Sequence, residues 1–108
     1  MSDKMMDLVA RRFRILGEVT RLRILQTLEG GEQTAGAITE LVGGSQPNIS
    51  KHLQAMADAG ILERRRDGNN ILYSIADPLV FKLCHLVCHS TESRAREQYG
   101  ELMGKRKR

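Results

Sequence analysis

The stretch that decides the fold is SQPNISKHLQAMADAGIL, residues 45–62. Ser45 is a strong helix N-cap, and Pro47 falls in the first turn, where a missing amide proton costs little. Ile49, Leu53 and Met56 lie within about 40° of one another at 3.6 residues per turn, so they form one buried stripe. Pro47, Asn48, Ser50, Lys51 and Gln54 occupy the other side, and Gly60 closes the helix. That outer face is amide, hydroxyl and lysine, without the Glu/Lys mixture of an ordinary surface helix.

Working outward, residues 5–16 place Met5, Met6, Leu8, Val9, Arg12, Phe13, Ile15 and Leu16 at helical spacing, and Gly17 ends the segment. A second helix is expected to open at Thr20 as N-cap and to bury Leu22, Ile24, Leu25 and Leu28 before Gly30-Gly31 stops it. A third, short helix capped by Thr34 turns Ile38, Leu41 and Val42 inward and breaks at Gly43-Gly44. Downstream, ILERRRDGNNILYSI, residues 61–75, changes period: two β-leaning runs flank Asp67-Gly68, a hairpin-turn signal. Asp77-Pro78 pairs an N-cap with a proline at the first helical position. The long helix that follows runs to about Met103, with Leu79, Val80, Leu83, Leu86, Val87, Leu102 and Met103 among its apolar residues.

The fold class expected is mainly α with a small β-hairpin wing. It is a winged helix-turn-helix with N- and C-terminal helices available for dimerisation. Residues 1–104 read as one domain and Lys105-Arg106-Lys107-Arg108 as a basic tail. Composition agrees. The chain has 108 residues, 28% charged and 41% hydrophobic, which excludes wholesale disorder. Aromatics are only 4%, with no Trp, and a core so poor in aromatics is often completed by a second subunit. The net charge of +4 suits an anionic partner. No apolar run approaches the ~18 residues of a membrane span, and the charged N-terminus is not a signal peptide. A cytoplasmic protein without a membrane partner is expected, its two cysteines outside any structural disulfide.

The outer face of the 45–62 helix suits double-stranded DNA. Asn48, Gln46 and Gln54 carry amides that can bond adenine edges in bidentate fashion. Ser45 and Ser50 can bond several edges, and Lys51 reaches guanine or phosphate. The helix N-terminus itself favours a phosphate oxygen. Arg64, Arg65 and Arg66 lie beside the hairpin turn, where a projecting wing brings them to backbone phosphates or the minor groove. Taken alone, that arginine run reads equally as a solvated edge strand guarded by charge.

Three runs carry a family resemblance. They are Glu18-Val19-Thr20-Arg21-Leu22-Arg23-Ile24-Leu25, Ser45-Gln46-Pro47-Asn48-Ile49-Ser50-Lys51-His52-Leu53, and Arg65-Arg66-Asp67-Gly68-Asn69-Asn70-Ile71-Leu72-Tyr73. Together they resemble the ArsR family of winged-helix repressors over about residues 8–90. The resemblance implies a homodimer built on the first and last helices that represses a promoter from an inverted-repeat operator and lets go when an inducer binds. His52 belongs to the signature, with two readings: a half-buried packing histidine or a direct DNA contact.

Metal sites implied by the resemblance are absent position by position. A Cys-x-Cys pair at the start of the third helix falls on Thr34 and Gly36. An Asp-x-His and His-x-x-Glu set on the last helix falls on Asp77, Leu79, Ser90 and Ser93, of which only Asp77 is a ligand type, better explained as an N-cap. The last helix does carry Cys84, His85, Cys88 and His89, with each pair four residues apart on one face. Three readings stand: a soft metal ion at Cys84/Cys88 shared between chains with a histidine completing the set, a redox or persulfide switch, or small hydrophobes that continue the Val80, Val87, Thr91 side of the helix. No glycine-rich phosphate loop, carboxylate dyad or nucleophile-base pair beyond Cys and His supports an enzyme. The alternatives to an inducible repressor are a winged-helix protein-protein interaction module and a repressor without a metal or thiol sensor.

Overall fold

The computed structural model describes the backbone of residues 1–107 and the side chains through residue 98. The chain forms two compact units, residues 1–77 and the single helix that follows. Its elements are α1 (Asp3–Leu16), α2 (Val19–Leu28), β1 (Gln33–Thr34), α3 (Ala35–Val42), α4 (Gln46–Asp58), β2 (Leu62–Asp67), β3 (Asn70–Ile75) and α5 (Pro78–Lys107).

In the first unit, α2, α3 and α4 pack around Ile24, Leu25, Leu28, Ile38, Ile49, Leu53 and Met56, none more than 2% exposed. The stripe expected on the 45–62 helix is therefore the centre of the core. Ser45 caps α4 by accepting the Asn48 amide at 3.3 Å, and Thr34 caps α3 through Ala37. Between these helices Gly43 and Gly44 both take positive φ, 90° and 97°. A side chain is strained there whatever the space, which is why two glycines join α3 to α4.

The structure corrects several expectations. The cap of α2 is Glu18 rather than Thr20: its carboxylate accepts the Arg21 amide at 3.0 Å, and Thr20 lies inside the helix. Leu22 and Leu41 face outward, 44% and 66% exposed. The buried residues are Ile24, Leu25 and Leu28 in α2 and Ile38 in α3, and Leu22 and Leu41 lie off these positions. The hairpin turn lies one residue later than expected. Asp67 pairs with Asn70, leaving Gly68 and Asn69 as the loop. Gly68 has φ 63° while Asn69 stays at negative φ, so glycine occupies the first loop position, as a type II′ turn requires.

The wing is also more than a hairpin. The two-residue β1 adds to it, giving a three-stranded antiparallel sheet in the order β1-β3-β2. A strand so short has no periodicity to read. Ile61, Leu62 and Tyr73 bury the root of the wing. There the Ile61 amide donates to the Met56 carbonyl at 3.0 Å and the Ala76 amide to the Ile61 carbonyl at 2.9 Å. Residues 63–70 are all exposed.

In contrast to this core, α1 buries only Leu16, while Met5, Met6, Leu8 and Phe13 are about half exposed. The last helix opens at Pro78 as expected and continues through Lys107, past the Met103 boundary and into the basic tail. On it Leu79, Leu86 and Val87 are exposed. The side chains of Leu102 and Met103, and Arg108, lie outside the described residues. No helix among the described residues is long and apolar enough to cross a membrane.

Candidate nucleic-acid interface

Because Ile49, Leu53 and Met56 hold one side of α4 in the core, the opposite side is presented in a fixed orientation. Gln46, Asn48, Lys51 and Gln54 are exposed on it, with Ser45 at its start and Ser50 half-buried. The Ser45 hydroxyl is partly committed as the cap. The Gln54 amide donates to Asp58 at 2.9 Å, which steadies the side chain and leaves its carbonyl oxygen outward-capable. A face of this composition offers donors and acceptors to base edges, and the positive end of α4 favours a phosphate oxygen beside them.

His52 stands apart from these residues. Its side chain is 17% exposed, and its Nδ1 accepts a hydrogen bond from Arg21 Nε at 3.1 Å. Glu18 Oε2 lies 3.8 Å from the same nitrogen, and Arg21 Nη1 donates to the Ile15 carbonyl at 3.3 Å. The Glu18-Arg21-His52 cluster ties the start of α2 to the middle of α4. Partial burial pushes the Glu18 carboxyl up, but hydrogen bonds from the Thr20 and Arg21 amides outweigh it, and its pKa lies below the ordinary value. Glu18 and Arg21 were visible in the sequence as part of a family signature, but their link to His52 spans 31 residues and has no local signal.

The wing arginines separate by strand alternation. Arg64 and Arg66 lie on one face of β2 and Arg65 on the other. Arg65 is engaged: its Nε and Nη2 meet Glu32 Oε2 and Oε1 at 2.6 and 2.7 Å. This bidentate hydrogen bond holds the Glu32 carboxyl below its ordinary pKa. Arg64 and Arg66 are exposed, with no ion pair among the described residues. Glu32, immediately before β1, was not singled out by sequence reasoning.

On α5, Cys84 is half-buried while His85, Cys88 and His89 are exposed. Burial pushes the Cys84 thiol up, away from the thiolate. Cys88 Sγ lies 3.7 Å from Glu92 Oε1, and the His85 ring sits 6.3 Å from that of Phe81, tilted by 47°. Among the described residues no three His, Cys, Asp or Glu side chains of one chain gather as a metal site.

Comparison with known proteins bears on these surfaces. A helix-turn-helix domain family model matches residues 12–65. A probable mercury resistance operon repressor of Streptomyces lividans is 41% identical over 90 residues, covering 82% of this chain and 72% of that protein. The homodimeric winged helix-turn-helix DNA-binding domain of a possible ArsR-family transcriptional regulator from Mycobacterium bovis superposes with a TM-score of 0.80. It is 33% identical and covers 90% of this chain and 93% of that one. The AntR antimony-specific transcriptional repressor gives a TM-score of 0.73 at 34% identity, over 87% of this chain and 86% of that one. Identity at this level across most of both chains carries more than a shared fold: the chain belongs to the ArsR family of winged helix-turn-helix transcriptional regulators.

Proposed function

We propose that the protein is a homodimeric repressor that reads an inverted-repeat operator through α4. The observation that carries this reading is the two-sided character of α4: one side sealed in the core, the other lined by Gln46, Asn48, Lys51 and Gln54. Base discrimination rests on Asn48 and Lys51, with Gln46, Ser45, Ser50 and Gln54 beside them. The wing adds phosphate contacts through Arg64 and Arg66. His52 acts from behind α4, holding it through Arg21. The half-exposed apolar residues of α1 and α5 supply the surface for a second copy. Two-fold symmetry then sets the reading helices in major grooves about 10 base pairs apart or a multiple of that. The test is a gel shift with DNA from upstream of the protein's own operon, alongside light scattering. A protected inverted repeat and a dimer mass are expected; a stable monomer with or without DNA would sink the reading.

A finer reading concerns release. Two of the similar proteins are named for mercury and antimony, both thiophilic elements. In this chain the thiols are Cys84 and Cys88, one turn apart on α5, with His85 and His89 beside them. A soft metal ion shared with the partner's copies would complete the ligand set. Burial raises the Cys84 pKa, so a metal that binds there must displace the thiol proton, and its binding should strengthen as pH rises. The ion acts only through its different affinity for the bound and free dimer shapes. Changing Cys84 and Cys88 together to Ser is expected to keep DNA binding and to abolish its release by mercuric ion, antimonite, arsenite, cadmium and zinc. If the wild type ignores all five, and peroxide and polysulfide as well, the cysteines are packing residues.

A further inference from the structure

We infer that Arg65 is a positioning residue that clasps the wing through Glu32, and that it is not one of the arginines that meet DNA phosphate. The inference rests on the operator-binding reading above and divides the three wing arginines by task.

Sheet order and strand alternation carry it. The order β1-β3-β2 places Glu32, immediately before β1, and Arg65, in β2, on opposite sides of the central strand. Their side chains meet across β3 with two hydrogen bonds of 2.6 and 2.7 Å. The pair therefore ties an outer strand of the wing to the segment joining α2 and α3, at a sequence separation of 33 residues. The guanidinium edge formed by Nε and Nη2, which would grip a phosphate in bidentate fashion, is already filled by a carboxylate. Asp67, two residues on along the same face of β2, adds a second negative charge near Arg65. A phosphate approaching that face meets a neutralised arginine between two acids. Arg64 and Arg66 point the other way and keep their charge uncompensated.

What the clasp supplies is order in the free protein. Beyond its buried root, the wing is held by its strand ladder and this pair, so without the pair more of its freedom is lost on binding. An exposed ion pair of this kind is worth up to about fivefold in an equilibrium constant.

The two roles predict opposite signs. If Glu32 merely competed with phosphate for Arg65, Glu32→Gln would tighten DNA binding. If Glu32 positions the wing, Glu32→Gln weakens it. The experiment uses full-length protein and a duplex that the wild type selects from a random-sequence pool, titrated between about 50 and 200 mM salt. Glu32→Gln and Arg65→Ala are each expected to weaken binding by about two- to fivefold with the salt slope unchanged. The double variant is expected to be no weaker than either single one. Arg64→Ala and Arg66→Ala should instead each flatten the slope by about one unit. In the free protein, amide exchange across β2 and β3 should quicken in both Glu32→Gln and Arg65→Ala. The inference is overturned if Arg65→Ala flattens the slope as Arg64→Ala does, if Glu32→Gln tightens or leaves binding unchanged, or if wing exchange is unaffected. A wild type that selects no duplex sinks the operator reading instead, a result separate from any of these.

Discussion

The fourth helix and the wing present polar, basic surfaces of similar character, but they are held in different ways. Behind α4 stand Ile49, Leu53 and Met56 with no exposure at all, a serine cap at its start and the Arg21-His52 hydrogen bond at its middle. The wing is buried only at its root, at Ile61, Leu62 and Tyr73, and everything from residue 63 to residue 70 is exposed. A helix so anchored can hold side chains in the geometry that base reading demands, whereas an arm held by a ladder and one ion pair suits contacts that tolerate some play. Like-looking charges on one small protein therefore need not do like work.

The largest effect is expected behind the fourth helix. Leu53→Ala should destabilise the fold by about 2–5 kcal/mol, because a fully buried leucine leaves a cavity that rigid neighbours cannot fill. Urea unfolding measures it, and a loss below about 1 kcal/mol would mean that α4 is far less anchored than its burial implies.

On the outer face, Asn48→Ala should cost about 1–3 kcal/mol on the preferred duplex and relax preference at one base position. Binding to a panel of half-site variants reads this directly. Unchanged preferences would move the reading face elsewhere on the helix.

The wing should respond more weakly and without loss of discrimination. Gly68→Ala meets no neighbouring atom within 4 Å, so only its left-handed φ of 63° resists the substitution. A thermal shift equivalent to about 1–2 kcal/mol is expected, with half-site preferences intact.

The smallest effect is expected in the pH dependence of stability. The Glu32 carboxyl is held below its ordinary pKa by Arg65, so the folded state favours its ionised form. The pair's contribution is therefore present above the ordinary glutamate value of about 4.3 and is lost as pH falls through the lower folded value. Wild type should be slightly more stable than Glu32→Gln at neutral pH, and the difference should vanish in acid. A difference that grows on acidification would contradict the ion pair.

Much of this was legible from residue order alone. The α4 stripe, the caps at Ser45 and Thr34, the Gly43-Gly44 break and the start of α5 at Pro78 follow from periodicity, capping chemistry and backbone freedom, which act within one or two turns of chain. The hairpin was legible too, although not its turn: Asp67-Gly68 signals a loop, but register decided that Gly68 and Asn69 form it. The outer-face residues of α4 could be named because the buried stripe defines its own opposite.

Tertiary structure decided what depends on residues far apart in the chain. Leu22 and Leu41 are as apolar as their neighbours, and only the packing of α2 and α3 reveals that they stay exposed. The two-residue β1 exists because β3 offers it a partner, not because Gln33-Thr34 prefers to be a strand. Arg64, Arg65 and Arg66 are identical letters in a row. The pleat sends them to alternate faces, and a carboxylate 33 residues upstream engages only one of them. His52 meets Arg21, 31 residues away in the chain, through its Nδ1, a link that no local pattern announces. Local order thus determined which elements form and which faces they bury, because propensity and period are short-range. The partners of each charge came from the fold, because an ion pair or a side-chain hydrogen bond is set by distance in space, and sequence separation carries no measure of that.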